Sequence, residues 1–139
     1  MTQELCDFFA QCPHLAGRTL NTNCLGSGYG DCSVDSTENT ETLKTYADGG
    51  RLCRAEFIFA SRESCSASRA DNAAADSLYE KISAWLDSKN RAGELPQLKD
   101  GAEAVGICAG GRHTVKSRGG LDARYEMKID LIYFYNPAE

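Results

Sequence analysis

The clearest pattern in the sequence is an alternation of apolar and polar residues in the segment Asp122–Tyr135, which becomes wholly apolar in its last residues. The odd positions hold Ala123, Tyr125, Met127, Ile129, Leu131, Tyr133 and Tyr135. The even positions hold Arg124, Glu126, Lys128 and Asp130, followed by Ile132 and Phe134. Successive side chains of a strand point to opposite faces, so the pattern predicts a β-strand with one buried face and one charged face. The alternating sign of the charges suits cross-strand ion pairs or contact with a neighbouring subunit.

Two segments around Asp48-Gly49-Gly50 predict a β-hairpin, because glycine supplies the positive φ angles that tight turns need. The predicted arms are residues 43–47 and 51–60. In the second arm Cys53, Ala55, Phe57 and Phe59 share one face, whereas Leu52, Arg54, Glu56 and Ile58 share the other. A short extended piece is predicted within residues 19–25 and another near Cys32, and residues 103–109 predict a further strand.

Helices are predicted at two places. Residues 4–11 form a short apolar-periodic stretch that Pro13 ends. In the second place apolar residues recur every three or four positions: Ala75, Leu78, Tyr79, Ile82, Trp85 and Leu86. This stripe predicts a long amphipathic helix with Trp85 in the core. Ser77 and Glu80 have the spacing of a capping box, which places the helix start at Ser77, and Gly93 suits a left-handed C-terminal cap.

The remaining segments are polar or rich in glycine and are expected to be loops and turns. They are residues 26–30, 35–42, 110–113 and 116–120. Hairpin-linked strands with helices on one face predict an α+β fold with a mostly antiparallel, mixed β-sheet, in which one long and one short helix cover one face. No linker or repeat interrupts the chain, so residues 1–139 are expected to form a single domain.

Composition and charge exclude several classes of function. The formal net charge of -5 argues against a protein that grips nucleic-acid phosphates, since such binding depends on lysine and arginine. No apolar run approaches the roughly 20 residues of a membrane span. The first residues lack the basic and apolar parts of a signal peptide, so we expect the protein to remain in the cytoplasm in which it is made.

The seven cysteines do not predict a disulfide framework, because their number is odd and none form a Cys-x-x-Cys pair. Free thiols are therefore expected, and Cys53 fits a buried strand position. The one candidate metal cluster, around Cys12 and His14, has a spacing that matches no usual zinc pattern, so we expect neither metal nor cofactor. A small thiol- or metal-binding protein remains an alternative.

No arrangement of residues predicts catalysis. The glycines of residues 26–30 lack the Lys-Ser/Thr ending of a phosphate loop and fail the dinucleotide fingerprint. Nothing orients His14 or His113 against a nucleophile, so the chain is not expected to be an enzyme. Three basic residues, Arg112, Lys116 and Arg118, lie in a glycine-rich segment that is either a solvated loop or a loop that docks a partner.

Several segments together carry a resemblance to a known family. They are residues 43–50, 59–63, 78–86, 90–96, 123–127 and 131–135, with Phe8-Phe9 and Cys12-Pro13 near the start. Over most of the chain the sequence resembles the minor capsid, or tail-completion, proteins of phages and prophages of Gram-positive hosts. These proteins are similar to the tail terminators of long-tailed phages.

The resemblance implies a structural virion protein without catalytic residues or cofactor. Its subunits would close into a hexameric ring at the head-proximal end of the tail tube, stop tube polymerisation and present a surface for head–tail joining. The implied partners are other copies of the chain, the tail tube protein and the head–tail connector, and DNA would pass through the lumen without specific binding. Arg112, Lys116, Arg118, Arg124, Glu126, Lys128 and Asp130 are the candidate interface residues. Another head–tail connector, stopper or minor capsid component is the nearest alternative.

Overall fold

The computed structural model describes residues 1–23, 31–64, 69–118 and 122–136, with side chains described except at 63–64, 69–76, 111–118 and 122–124. Within these described ranges the fold has two helices and five strands. In chain order they are α1 (Thr2–Phe9), β1 (Leu20–Thr22), β2 (Cys32–Thr45), β3 (Arg51–Ser64), α2 (Arg69–Ala92), β4 (Ala102–Arg118) and β5 (Asp122–Tyr135). A single 3-10 turn, Pro13–Leu15, follows α1. The predicted turn at residues 26–30 lies outside the described residues.

The strands form one mixed sheet in the order β1-β2-β3-β5-β4. Strand β1 runs parallel to β2, and the other three pairings are antiparallel. The hairpin between β2 and β3 turns at Gly49, whose φ of 90° lies in the region that glycine favours. The predicted α+β class with a mostly antiparallel sheet is therefore confirmed.

Alternate residues of β3 and β5 form the buried face of the sheet, as the sequence pattern predicts. Directly paired residues such as Phe57 and Ile129, or Phe59 and Met127, point to the same side and are almost inaccessible. Both helices pack on this face. The ring of Phe59 stacks on Phe9 of α1 at 5.2 Å and contacts Tyr79 of α2 at 5.8 Å between centroids. Trp85 packs against the core as predicted, as a partly buried residue. Its ring centroid lies 5.0 Å from that of Phe8.

The hydroxyl of Tyr79 forms a buried polar link between α2 and the sheet. It donates to the carbonyl oxygen of Tyr125 at 2.9 Å and is hydrogen-bonded to the Ser61 hydroxyl at 2.7 Å. Tyr79 is 2% exposed and Ser61 is fully buried, so water cannot replace these bonds.

Replacing Tyr79 by phenylalanine is expected to lower the free energy of unfolding by about 1–3 kcal/mol, because it leaves buried polar partners of the hydroxyl unsatisfied. Urea unfolding followed by circular dichroism measures the loss. The double variant Ser61→Ala/Tyr79→Phe should lose less than the sum of the two single variants. A Tyr79→Phe protein as stable as wild type would contradict this role of the hydroxyl.

Three segments predicted as loops or turns, residues 35–42, 110–113 and 116–118, lie in strands, and those predictions are wrong. Residues 35–42 lie within β2, where threonine favours extended backbone and the ladder with β3 satisfies the main chain. Residues 110–113 and 116–118 lie within β4, which pairs with β5 along its length. The glycines that suggested a turn fall at a bulge, where residues 111–113 stand opposite the single residue Met127. Residues 119–120 lie outside the described residues.

The helix boundaries also differ from the prediction. α1 begins and ends two residues earlier than the predicted residues 4–11. α2 starts at Arg69 rather than Ser77, so the alanine-rich segment before the apolar stripe is already helical, as its high helix propensity allows. The predicted C-terminal cap is confirmed: Gly93 has a φ of 72° and donates to the Asn90 carbonyl.

Candidate functional site

The side of the sheet away from the helices carries charged residues among half-buried apolar ones. We call it the open face and define it by Leu52, Arg54, Glu56 and Ile58 of β3 and by Glu126, Lys128, Asp130, Ile132 and Phe134 of β5. Each of these side chains is half-buried or exposed. Towards the C-terminal end of β3 the same side of the sheet is covered, since Ala60 and Arg62 are buried. The predicted charged face of the last strand is therefore confirmed.

The seven candidate interface residues lie on two neighbouring strands. Arg124, Glu126, Lys128 and Asp130 lie on β5, whereas Arg112, Lys116 and Arg118 lie on β4. Lys116 is paired directly with Arg124, and Arg118 with Asp122. Arg112 falls in the bulge and has no single paired residue. The side chains of Arg112, Lys116, Arg118 and Arg124 lie outside the described residues. The structure places the backbones of these positions on two paired strands.

A shallow groove of about 260 Å³ crosses the open face between β2 and β5. We call it the acidic groove. Its lining residues are Glu38, Asn39, Thr40, Glu41, Arg54, Glu56, Lys128 and Asp130. Four of them are acidic and two are basic, so the groove carries a formal charge of about −2 with the carboxyl groups ionised.

The ion pairs within the groove do not neutralise it. Arg54 pairs with Glu41 at exposed positions. Lys128 Nζ lies 4.0 Å from Asp130 Oδ1, at the outer limit of an ion pair, and such surface pairs contribute only about 0–1 kcal/mol. Glu56 stands directly opposite Asp130 on the neighbouring strand, an arrangement of like charges that is unfavourable. A basic group from outside the groove would relieve this repulsion.

Sequence reasoning missed the β2 part of this groove. Glu38, Asn39 and Glu41 fall in the segment taken for a loop, although its threonines are a strand signal. Arg54 and Glu56 were assigned to the correct face by alternation, but alternation does not reveal which strands are neighbours. The register of β3 against β5 is what places Glu56 beside Asp130.

A second cleft, of about 320 Å³, opens at the other end of the sheet, where β3 begins and β5 ends. The Cys53 thiol and the Tyr133 hydroxyl lie in its wall. Burial of Tyr133, the nearby Cys53 thiol and the hydrogen bond between these two side chains raise the pKa of Tyr133 above the ordinary value of a tyrosine. The Tyr133 hydroxyl therefore stays protonated at neutral pH and is a poor nucleophile.

The shifted pKa of Tyr133 predicts a pH dependence of stability. The folded protein holds this proton more tightly than the unfolded chain, so the contribution is complete below about pH 10 and is lost as pH rises through the folded pKa. Melting temperatures measured from pH 8 to 11 should fall less steeply for Tyr133→Phe than for wild type. Tyr46→Phe, at an exposed tyrosine, is the matched control and should follow wild type. Parallel curves for all three proteins would contradict the assignment.

The described cysteines are free thiols. Cys6, Cys12, Cys32 and Cys53 are buried, in agreement with the prediction for Cys53, and Cys108 is exposed. Burial raises the pKa of Cys6 and Cys12, and partial desolvation with the nearby Asp130 carboxylate raises that of Cys108. A raised thiol pKa reduces the thiolate fraction and with it the reactivity. Cys24 and Cys65 lie outside the described residues.

Within the described ranges the side chains and helices offer neither a metal cluster nor a membrane span. There, no three His, Cys, Asp or Glu side chains are grouped so that they could hold a metal ion. The two described helices include none that is long and apolar enough to cross a membrane. His14 lies exposed in the 3-10 turn, and His113 lies in the β4 bulge with its side chain outside the description.

Comparisons with known proteins identify no family. No protein-family model matches the chain, and no curated protein matches it.

Proposed function

We propose that this chain is a structural subunit of a phage tail, acting as a tail terminator. In this role, copies of the chain form a ring at the head-proximal end of the tail tube, stop tube polymerisation and present a surface for head–tail joining. Two lines of support are independent of each other. One is the resemblance of the sequence to tail-completion proteins over most of its length, and the other is the character of the open face.

The observation that carries the proposal is the mixture of residues on the open face. Ile132 and Phe134 are half-buried apolar residues beside the charged Lys128 and Asp130. Protein interfaces combine apolar contact with a polar rim in this way. Glu56 and Asp130 stand directly opposite each other, which places two like charges side by side on this face. A partner that supplies basic groups would make favourable contacts with these two carboxylates.

The charge of the chain is compatible with passage of DNA. The formal net charge is -5, and a ring that DNA must traverse gains nothing from lysines and arginines that bind phosphates tightly. The proposed partners are accordingly protein surfaces: other copies of this chain, the tail tube protein and the head–tail connector. During assembly the protein resides in the host cytoplasm, and afterwards in the virion.

Deletion of the gene from its phage or prophage genome tests the proposal. Electron microscopy of lysates should show tails of uncontrolled length without heads, and the wild-type gene supplied on a plasmid should restore uniform tails. Tails of normal length that fail to join heads would favour a connector or stopper role. Normal virions from the deletion strain would contradict a role in the tail.

A further inference from the structure

Each outer edge of the sheet is covered along part of its length, and the covered part differs between the two edges. On β2, the first residues pair with β1, and Asn23 extends this closure: its N–H donates to the Val34 carbonyl at 3.0 Å, and its side-chain oxygen accepts from Ser36 N–H at 2.8 Å. Beyond Ser36, residues 37–45 of β2 pair with no outer strand among the described parts of the chain. Residues 38–45 are all exposed.

On the opposite side of the sheet, α2 occupies one position on the outer edge of β4. The side-chain oxygen of Asn90 accepts from the N–H of Ile107 at 3.0 Å, so this N–H is not available to another strand. The second half of β4, residues 110–118, forms the outer edge of the sheet order and pairs only with β5 among the described strands. Among the described strands, therefore, the later part of β2 on one side and the later part of β4 on the other have no outer pairing partner.

These two open segments have opposite charge. Residues 110–118 contain Arg112, Lys116 and Arg118 and no acidic residue. Residues 37–45 contain Glu38 and Glu41 with one basic residue, Lys44, and they border the acidic groove, which has a formal charge of about −2. We call residues 110–118 the basic edge. A cationic segment and an anionic groove on opposite sides of one sheet are complementary between two copies of the chain.

Bulges decide what kind of contact these segments can make. In β2, residues 37–39 stand opposite the single residue Glu56, and in β4 residues 111–113 stand opposite Met127. Bulges interrupt regular ladder pairing and protect an edge from indiscriminate strand addition. The contact is therefore expected to depend on charged side chains rather than on a continuous β-ladder, and to be selective for a partner of the right charge pattern.

From these observations we propose that the basic edge of one copy docks onto the acidic groove of the next. The two surfaces are different patches, so the contact is heterologous and generates a ring when the rotation closes. The inference rests on the proposed function, because it names the contact by which the proposed ring is built. Docking would bring the basic edge to the Glu56 and Asp130 carboxylates, which stand opposite each other on β3 and β5.

Charge reversal on each surface tests this docking. One variant is Glu38→Lys/Glu41→Lys in the groove, and the other is Lys116→Glu/Arg118→Glu on the basic edge. Each variant alone is expected to reduce self-association by at least about tenfold in low salt. An equimolar mixture of the two should assemble again, with the two variants alternating. The mixture restores assembly because the reversed groove of one variant fits the reversed edge of the other, and the wild-type surfaces also fit each other.

Analytical ultracentrifugation provides the measurement, with melting curves to verify that each variant is folded. The matched control is Glu80→Lys/Asp87→Lys, which makes the same change of charge at exposed positions of α2 and should assemble as wild type does. Wild-type assembly should also weaken as salt rises. Variants that assemble normally, or a mixture that stays dissociated, would overturn the docking and leave the proposed ring intact. A wild-type chain that remains monomeric would overturn both.

Discussion

Replacement of Phe59 by alanine is expected to lower the free energy of unfolding by about 3–5 kcal/mol, which is the range for removing a buried phenylalanine. Phe59 is fully buried and lies between both helices and the sheet, against Phe9 and Tyr79. Since small domains are stable by only about 5–15 kcal/mol, the variant should be close to unfolding at 37 °C. Thermal and urea unfolding followed by circular dichroism measure the effect.

Phe134 provides the matched control for this substitution. It is the same residue type in the same sheet, but it lies half-buried on the open face, where its ring contacts Tyr46 at 5.6 Å. Phe134→Ala should cost about 1–2 kcal/mol, because only part of its apolar surface is removed from water. Equal losses for the two variants at low protein concentration would contradict the one-sided burial of the sheet.

A charge placed on the buried side of β5 should be the most damaging single substitution of that strand. Ile129 is fully buried, and Ile129→Asp is expected to cost at least about 4 kcal/mol, because an unpaired carboxylate in apolar surroundings is poorly tolerated. We expect little soluble, folded protein from this variant. Yield of soluble protein and the near-ultraviolet circular dichroism spectrum provide the readout.

The control for Ile129→Asp is Ile132→Asp, three residues along the same strand and on the open face. It removes the same apolar side chain and adds the same charge, yet it should cost only about 1 kcal/mol, because the carboxylate remains hydrated. If Ile132→Asp were as damaging as Ile129→Asp, the alternation would not define which face is buried. The Ile132→Asp protein can then be tested for self-association, in which an open-face residue should matter.

The features that the sequence predicts best are local, because each depends on the residues of a single strand, helix or turn. The alternation of β5 identifies Ile129 as buried and Lys128 as exposed, because the period of two follows from strand geometry alone. Gly49 and Gly93 are placed correctly for the same reason: positive φ angles favour glycine whatever surrounds them. The helical stripe around Ile82 is likewise a local property.

What sequence did not predict depends on which strands become neighbours. The polar composition of residues 35–42 and the glycines 110 and 111 both indicate loops, yet pairing with β3 and β5 makes each segment a strand. Local preference is weak enough for tertiary pairing to override it. The acidic groove follows the same rule, since it requires β2, β3 and β5 side by side, and the sequence gives no register between them.

Native mass spectrometry of the purified protein tests the central claim, that this chain is a self-assembling structural subunit, most directly. Measured from low to high micromolar concentration in volatile buffer of low ionic strength, the spectrum should contain a species with six times the mass of the 15.1 kDa chain. The groove variant Glu38→Lys/Glu41→Lys should shift the population towards monomer. A wild-type chain that remains monomeric over the whole range would contradict the account.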